Sequence, residues 1–272
     1  MCNDGVPSTI ALPITQRGPR SSPRRIFSRQ TWWYGSPRRR PAAEETVDAV
    51  PALDRLIAVA IEIADREGRA ALTMRRLAGE LGVGAMSLYR HVPDKEELTR
   101  LMADVAFGAE PLPEPGPEGW RAKLELCARV QRRAYRRHPW LTTTMLDSLV
   151  RPPAVPSGML HVDWQLRALA GLGLSPRTAL QTVIALDGYV GGIAASNAFE
   201  VEAEHVTGIS GARRLAASLE LMTEIFASGR LDTLAAAIPE DATTLADLDE
   251  LFEFGLRTHL DGIAALIAAA AR

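Results

Sequence analysis

Basic and hydroxyl side chains gather in the stretch 73–95, and their chemistry suits the binding of a polyanion. Arg75, Arg76, Arg90 and Lys95 outnumber the two acidic residues of this stretch. The guanidinium of arginine can donate two parallel hydrogen bonds to the O6 and N7 acceptors of guanine. The ammonium of lysine pairs with phosphate as a point charge. These residue types therefore indicate contact with nucleic acid.

Two short helices joined by a tight turn must position these side chains. Thr73 can cap a helix over 74–81, and Gly82 follows directly, where a helix end needs a residue that tolerates positive φ. Helical spacing resumes over 85–91, and the small Ala78 would let the two helices cross closely. This pattern predicts a helix-turn-helix, a unit whose second helix enters a DNA major groove.

The run LTMRRLAGELGVGAMSLYRHVPDKEEL, residues 72–98, resembles the DNA-binding signature of the TetR family of transcriptional regulators, including that of the tetracycline repressor. The likeness is specific from Leu53 to Phe107 and continues more weakly through the rest of the chain. It implies a homodimer that binds double-stranded operator DNA and a C-terminal domain that binds a small-molecule effector. The expected function is that of a repressor released from its operator by a small, largely apolar molecule.

The resemblance also assigns roles to residues of this unit. Arg75 falls on a base-contacting position, and the exposed start of the recognition helix suits contact with thymine methyl groups. Other candidates fall on positions that contact phosphates in relatives. The DNA-contact candidates are Thr73, Arg75, Ala85, Met86, Ser87, Tyr89, Arg90, His91 and Lys95. Ala85 and Met86 differ from the tetracycline repressor, so the operator sequence cannot be read from them. The alternative is a solvated face of a structural three-helix bundle.

An arginine- and proline-rich arm, residues 1–50, is expected to precede the folded domains. Its first 43 residues contain eight arginines and one acid and offer too little apolar surface to form a core. The arm either adds phosphate contacts or is an inessential extension, and the sequence leaves both interpretations open.

Two folded domains are predicted after the arm. Residues 51–108 form the DNA-binding domain, with a first helix over 54–67 and a last helix that begins at a capping box opened by Asp94. The linker EPLPEPGPEG, residues 110–119, marks the boundary, and residues 118–272 form the ligand-binding and dimerisation domain.

Helical spacing recurs through the C-terminal domain, and no alternating strand pattern competes with it. The predicted helices span 120–138 with a short continuation to 149, then 157–172, 175–199, 212–226, 231–237 and 245–271, with a turn at 151–156 and a loop at 200–211. The predicted fold class is therefore all-α.

The C-terminal domain has sequence landmarks of the tetracycline-repressor core, but its ligand positions depart from it. The resemblance implies that an amide position becomes Cys127, an aromatic one Gln131 and a magnesium-side carboxylate Asn197, so we expect a ligand other than tetracycline with magnesium. The ligand-binding candidates are Cys127, Gln131, Trp140, Met145, Trp164, Asp187 and Tyr189. Apolar walls with a few polar groups suit a small-ligand site, and the alternative is ordinary core packing. Asp187 lies mid-helix among apolar neighbours, where it either lines the pocket or caps a polar seam.

Small residues along one helix indicate that another backbone packs close to it, because glycine otherwise costs helix stability. They are Gly188, Gly191, Gly192, Ala194 and Ala195. The last helix carries apolar residues at three- and four-residue spacing. The resemblance implies that these two helices form a four-helix dimer interface with their counterparts, and the alternative is an intramolecular core.

Composition and motifs argue against several other classes of protein. The 272 residues are 47% hydrophobic with a net charge of −2, so any basic surface is local. Two cysteines without a CxxC motif indicate a reduced, cytoplasmic environment, and no apolar run is long enough to span a bilayer. Scattered histidines and the lack of GxSxG, phosphate-loop and HExxH motifs argue against an enzyme, a metal site or a cofactor. The alternative function is a ligand sensor or scaffold that keeps the helix-turn-helix without binding DNA.

Overall fold

Every regular element that the structure describes is a helix. The computed structural model describes residues 53–145, 155–238 and 242–272. Its helices are α1 (Leu53–Glu67), α2 (Met74–Leu81), α3 (Ala85–Tyr89), α4 (Lys95–Phe107), α5 (Trp120–Arg137), α6 (Leu141–Met145), α7 (Pro156–Leu169), α8 (Pro176–Thr207), α9 (Gly211–Leu221), α10 (Thr223–Ala227), α11 (Asp232–Ala237) and α12 (Leu248–Ala270), with a 3₁₀ helix at Ala242–Ala246. The expectation of an all-α fold is confirmed.

Capping side chains set the helix boundaries near the N-terminus where the sequence predicts them. The hydroxyl of Thr73 accepts a hydrogen bond from the backbone N–H of Arg76 at 3.0 Å, which begins α2. Gly82 ends that helix in the left-handed conformation, with φ 69°. The carboxylate of Asp94 accepts from the N–H of Glu97 at 2.7 Å and begins α4.

The first four helices share one apolar core. Leu56, Leu77, Leu88 and Leu98 come from α1 to α4 in turn, and each is completely buried. Burial of an aliphatic side chain of this size contributes about 1.5–3 kcal/mol. Fixing these four helices against one another gives the short α3 a defined orientation on the surface.

The last helix of this bundle also packs on the C-terminal helices. α4 contacts α5, α6 and α7, and α5 contacts α7, α8 and α12. Ion pairs join α5 to α12, with Arg129 at 2.6 Å from Glu253 and Arg121 at 2.7 Å from Asp261. Arg121 and Arg129 of α5 are therefore engaged within the chain. The predicted division between 51–108 and 118–272 stays a prediction.

Several predicted boundaries are wrong in detail. The segment predicted as a loop at 200–211 is helical to Thr207, because its three glutamates and Ala203 favour a helix and the first glycine after them is Gly208, which ends α8 at φ 68°. The recognition helix ends at Tyr89 instead of 91, and the predicted helix 212–226 breaks at Met222. The arm 1–50 and most of the predicted turn at 151–156 lie outside the described residues, as does the end of the helix expected to reach 149.

The small residues of α8 divide between two faces. Gly191 and Ala194 are buried against the chain's own core, whereas Gly192 and Ala195 are exposed. A Cβ atom at Gly192 would meet nothing within 4 Å. Only the second face is therefore open to another copy of the chain. None of the helices in the described ranges is long and apolar enough to cross a membrane.

Candidate nucleic-acid interface and buried polar cluster

The turn between α2 and α3 presents the predicted DNA-contact residues at the surface. Leu88 holds α3 to the core from its inner face, and Met86 is 78% exposed on its outer face. Tyr89 is also exposed, at the end of the helix. Ala85 and Ser87 are half-buried beside Met86. The first turn of α3 therefore offers a small apolar surface of the kind that fits thymine methyl groups.

Basic side chains surround this surface, and they differ in how far the protein already holds them. Arg75 at the start of α2 is exposed, as are Arg90 and His91 after α3. Arg76 instead pairs with Glu80 and, at 3.0 Å, with Glu67, and these contacts raise the pKa of its guanidinium, the Glu80 hydrogen bond most. The exposed cations therefore remain for an external anion, while Arg76 stabilises the surface.

Two further phosphate candidates lie at helix starts. Thr73 uses its hydroxyl oxygen to cap α2, which leaves its O–H free to donate to an anion. Lys95 is half-buried in the first turn of α4, with its ammonium 3.5 Å from the carbonyl of Arg69. Free backbone amides at a helix N-terminus favour anions at such positions.

A polar cluster lies among the C-terminal helices, centred on Asp187 of α8. Its Oδ1 accepts a hydrogen bond from Nε2 of Gln131 at 2.9 Å and from Nε2 of Gln165 at 3.0 Å. Burial raises the pKa of the Asp187 carboxyl to about 6, against the opposing effect of these two hydrogen bonds. The three residues come from α8, α5 and α7, so the cluster forms only when these helices pack.

Aromatic rings and a thiol adjoin this carboxylate. Burial, with the nearby Asp187 charge, raises the pKa of both the Tyr135 hydroxyl and the Cys127 thiol, so both groups stay neutral at physiological pH. The ring of Phe107 lies 5.7 Å from that of Tyr135 and 4.8 Å from that of His161. Phe107 is the last residue of α4, so the cluster touches the helix that leads to the DNA-binding part.

Three buried polar atoms near the cluster have no hydrogen-bond partner among the residues that the structure describes. They are Oε1 of Gln165, Nδ1 of His161 and Oγ of Ser157. Burial lowers the pKa of His161 to about 4, so its ring is neutral at pH 7. Native proteins satisfy nearly all their buried polar atoms, and several unsatisfied ones together indicate a place for a ligand or ordered water.

The remaining ligand candidates lie elsewhere. Trp140 donates from Nε1 to Asp65 of α1 at 2.7 Å, and Trp164 donates to the carbonyl of Pro113 at 3.3 Å. The Tyr189 hydroxyl donates to backbone carbonyls of α12, and Met145 packs partly buried at the end of α6. The structure thus brings together Cys127, Gln131 and Asp187 and separates the other four.

Sequence reasoning missed four residues of the cluster, namely Phe107, Tyr135, His161 and Gln165. Two of them could have been found from the sequence. His161 and Gln165 are polar residues one helical turn apart, and both lie on the buried face of α7. Nothing in the sequence marks Phe107, which reads as an ordinary core residue at the end of its helix.

Two polar contacts tie the DNA-binding part to the C-terminal helices. Asp104 of α4 accepts from the backbone N–H of Ser157 at 2.7 Å. Asp65 of α1 accepts from Trp140 and lies 2.9 Å from Nδ1 of His138. A shift of α5 to α7 would therefore be transmitted to α1 and α4. Within the described ranges, no group of three or more His, Cys, Asp or Glu side chains could hold a metal ion.

Comparisons with known proteins agree along most of the chain. The family described as bacterial regulatory proteins, tetR family, matches residues 56–102, and the tetracyclin repressor-like C-terminal domain matches residues 112–267. The HTH-type transcriptional repressor DrrR1 of Streptomyces coeruleorubidus is 42% identical over 217 residues, which are 79% of this chain and 78% of that protein.

Two further relatives carry ligand names. The structure of ActR of Streptomyces coelicolor in complex with actinorhodin matches with a TM-score of 0.64 and 29% identity, over 80% of this chain and 97% of that one. The class E tetracycline repressor of Escherichia coli is 29% identical over 133 residues, which are 47% of this chain and 60% of that protein.

Proposed function

The chain belongs to the TetR family of bacterial regulatory proteins, and we propose how it acts as a ligand-responsive, DNA-binding repressor. It binds operator DNA as a homodimer through the surface around α2 and α3. A small, largely apolar molecule enters beside Asp187 and releases the operator. The site of action is the cytoplasm, where the operator DNA lies.

The observation that carries this proposal is the arrangement of residues 73–95. The capped helix α2 and the short α3 present the exposed Met86 together with the exposed cations Arg75 and Arg90. Apolar contact with thymine, bidentate contact with guanine and charge on phosphate are the three parts of direct DNA recognition. A three-helix bundle with a purely structural role does not require exposed apolar and basic side chains on one surface.

Dimerisation is proposed through the exposed faces of α8 and α12. These faces consist of small and apolar residues, namely Ala185, Gly192, Ala195 and Phe199 on α8 and Leu251, Phe254, Gly262 and Leu266 on α12. Phe254 is 60% exposed and Phe199 71% exposed in the single chain. Large apolar side chains beside glycines suit close packing of helices from a second copy.

Effector binding is proposed to act through α4. A molecule that occupies the space beside Asp187 contacts or displaces Phe107 and thereby moves α4. Asp104 couples this movement of α4 to α7 through its hydrogen bond with Ser157. The two heads of the dimer then change their spacing and no longer fit successive major grooves. The effector can do this only if it binds the released arrangement more tightly than the DNA-bound one.

Fluorescence anisotropy with labelled promoter DNA and random DNA tests this function across a series of salt concentrations. Arg75→Ala should cost about 1–3 kcal/mol on the operator and much less on random DNA, because it removes a base contact. Arg177→Ala, an exposed arginine at the start of α8, is the matched control and should bind like the parent. Equal binding of operator and random DNA by all three proteins would contradict the assignment.

The alternative is a ligand sensor or scaffold that keeps the helix-turn-helix as structure. A DNA affinity that falls steeply with salt discriminates against it, since that slope counts the phosphates that the protein neutralises. A protein that binds ligand but shows no salt-dependent DNA binding would be such a sensor.

A further inference from the structure

The Asp187 carboxylate has one oxygen that the protein uses and one that it does not. Both glutamine side chains donate to Oδ1, and among the described residues no partner reaches Oδ2. Burial and these two amides account for the pKa of the group, and no arginine, lysine or histidine of the described residues contributes to it. Asp187 is thus a buried acid without a cationic partner in the described part of the chain.

Part of Asp187 remains within reach of a ligand. Asp187 keeps accessible surface of its own, although burial is the main influence on its carboxyl. The space beside this accessible surface is open to a small molecule. The same space is where a ligand of the proposed repressor would bind.

Two side-chain oxygens of the cluster can only accept hydrogen bonds and have no donor among the described residues. A carboxylate can only accept, so the amide nitrogen of Gln165 must face Asp187, and its oxygen is left buried without a partner. Nδ1 of the neutral His161, which accepts or donates according to the tautomer, is a second buried atom without a partner among the described residues. A ligand that pairs with Oδ2 of Asp187 and Oε1 of Gln165 must therefore bring donors. An anionic ligand would add a second negative charge to an uncompensated one.

Aromatic rings beside the cluster favour positive charge. The rings of Phe107 and Tyr135 lie 5.7 Å apart, and the Tyr135 hydroxyl senses the charge of Asp187. The face of an aromatic ring attracts a cation, and a buried carboxylate is costly without an opposite charge. An ammonium satisfies both and supplies up to three donors.

We propose that the effector is an organic cation, an apolar molecule whose protonated amine pairs with Oδ2 of Asp187 while its body packs against Phe107 and Tyr135. This deepens the proposed function, on which it rests, by naming the chemical class of the ligand. The amine binds as an ammonium and no covalent bond changes.

Isothermal titration of the full chain at pH 7.5 tests the charge with matched probes. The probes are aryl-methylamines and the corresponding aryl-methanols with one to four fused rings, which differ within each pair only in the charged group. For at least one ring size we expect the amine to bind roughly tenfold to a hundredfold more tightly than the alcohol, as a hydrogen bond to a charged group implies. If no amine binds, or every alcohol binds as tightly as its amine, the ligand is not a cation.

Two variants test whether the carboxylate of Asp187 is the group that binds the ammonium. Asp187→Asn keeps an oxygen for both glutamine donors, and it should bind amine and alcohol equally. The matched control Asp163→Asn removes an exposed carboxylate that pairs with Arg167 at 3.1 Å on the same domain, and it should keep the amine preference. An amine preference that survives in Asp187→Asn would overturn the assignment.

The wild-type protein gives an independent readout should Asp187→Asn fail to fold. Amine affinity should fall by about tenfold from pH 7 to pH 5, because Asp187 takes up a proton with a pKa of about 6. The Tyr135 hydroxyl, the Cys127 thiol and the His161 ring stay neutral between these values. Amine binding that does not change between pH 7 and pH 5 counts against the pairing.

DNA binding separates the failure of this inference from the failure of the proposed function. Operator binding without any ligand tests the function alone. If the protein binds operator DNA but prefers the alcohols, the proposed function stands and the proposal of a cationic effector is wrong. If the protein binds amines through Asp187 but never binds DNA, the proposed class of ligand stands and the proposed function is wrong.

Discussion

The charge of Asp187 should make the protein less stable at neutral pH than its Asp187→Asn variant. In the folded chain the pKa of this carboxyl rises from an ordinary 3.8 to about 6. The folded state therefore binds more protons than the unfolded state between these values, and wild-type stability falls as pH rises through this window. A rise of about two pH units corresponds to about 3 kcal/mol of unfolding free energy above pH 7.

In the Asp187→Asn variant, residue 187 does not titrate and so adds no pH dependence to the stability. Its side-chain oxygen can accept from both Gln131 and Gln165, so the hydrogen bonds of Oδ1 are kept. We expect it to exceed the wild type by about 3 kcal/mol at pH 8 and by about half of that at pH 5, following the proton linkage. His161, which burial keeps neutral in both proteins, destabilises both alike as pH falls.

Urea unfolding at pH 8 and pH 5, followed by circular dichroism, measures the difference. Both proteins must be compared at one concentration, because dimerisation would make apparent stability concentration-dependent. Asp163→Asn is the control, and an exposed pair of this kind contributes at most about 1 kcal/mol. An asparagine variant that is less stable at pH 8, or that differs from wild type equally at both pH values, would refute the assignment of a strained buried charge.

Three further outcomes follow from the structure. Phe254→Glu should raise the dimer dissociation constant by at least about a hundredfold in sedimentation, since each copy loses about 1.5–3 kcal/mol of burial, while the exposed Leu160→Glu should leave it unchanged; equal dissociation constants place the interface elsewhere. Asp65→Ala should lower the unfolding free energy in urea by about 1–3 kcal/mol, because His138 and Trp140 lose their acceptor, and it should weaken the release of DNA by the effector. Asp65→Asn keeps both hydrogen bonds and should behave like the wild type. Unchanged release in Asp65→Ala would exclude Asp65 as a link between the two parts of the chain. Lys95→Ala should weaken binding to every DNA sequence and flatten the salt slope, and a loss confined to the operator contradicts a phosphate contact.

The helix-turn-helix could be predicted because its determinants are local. Thr73, Gly82 and Asp94 act on backbone groups within a few residues of themselves, so the sequence contains both partners of each contact. The prediction of a loop at 200–211 was wrong because the glutamates and Ala203 of residues 200–207 favour a helix.

The buried cluster could be predicted only in part, because its partners are distant in sequence. Gln131 and Asp187 are 56 positions apart, and their contact depends on the packing of α5 against α8. Tyr189 follows Asp187 by two residues, which turns it to another side of the helix and towards α12. The sequence alone therefore does not show that Tyr189 lies away from the cluster or that Phe107 belongs to it.

Footprinting of the promoter beside the gene with the purified protein tests the central claim most directly. The account predicts a protected near-palindrome with half-sites about one helical turn apart. It also predicts that Arg75→Ala loses the protection while it remains dimeric. A folded, dimeric wild-type protein that protects no site on promoter or random DNA, or an Arg75→Ala footprint identical to that of the wild type, would contradict it.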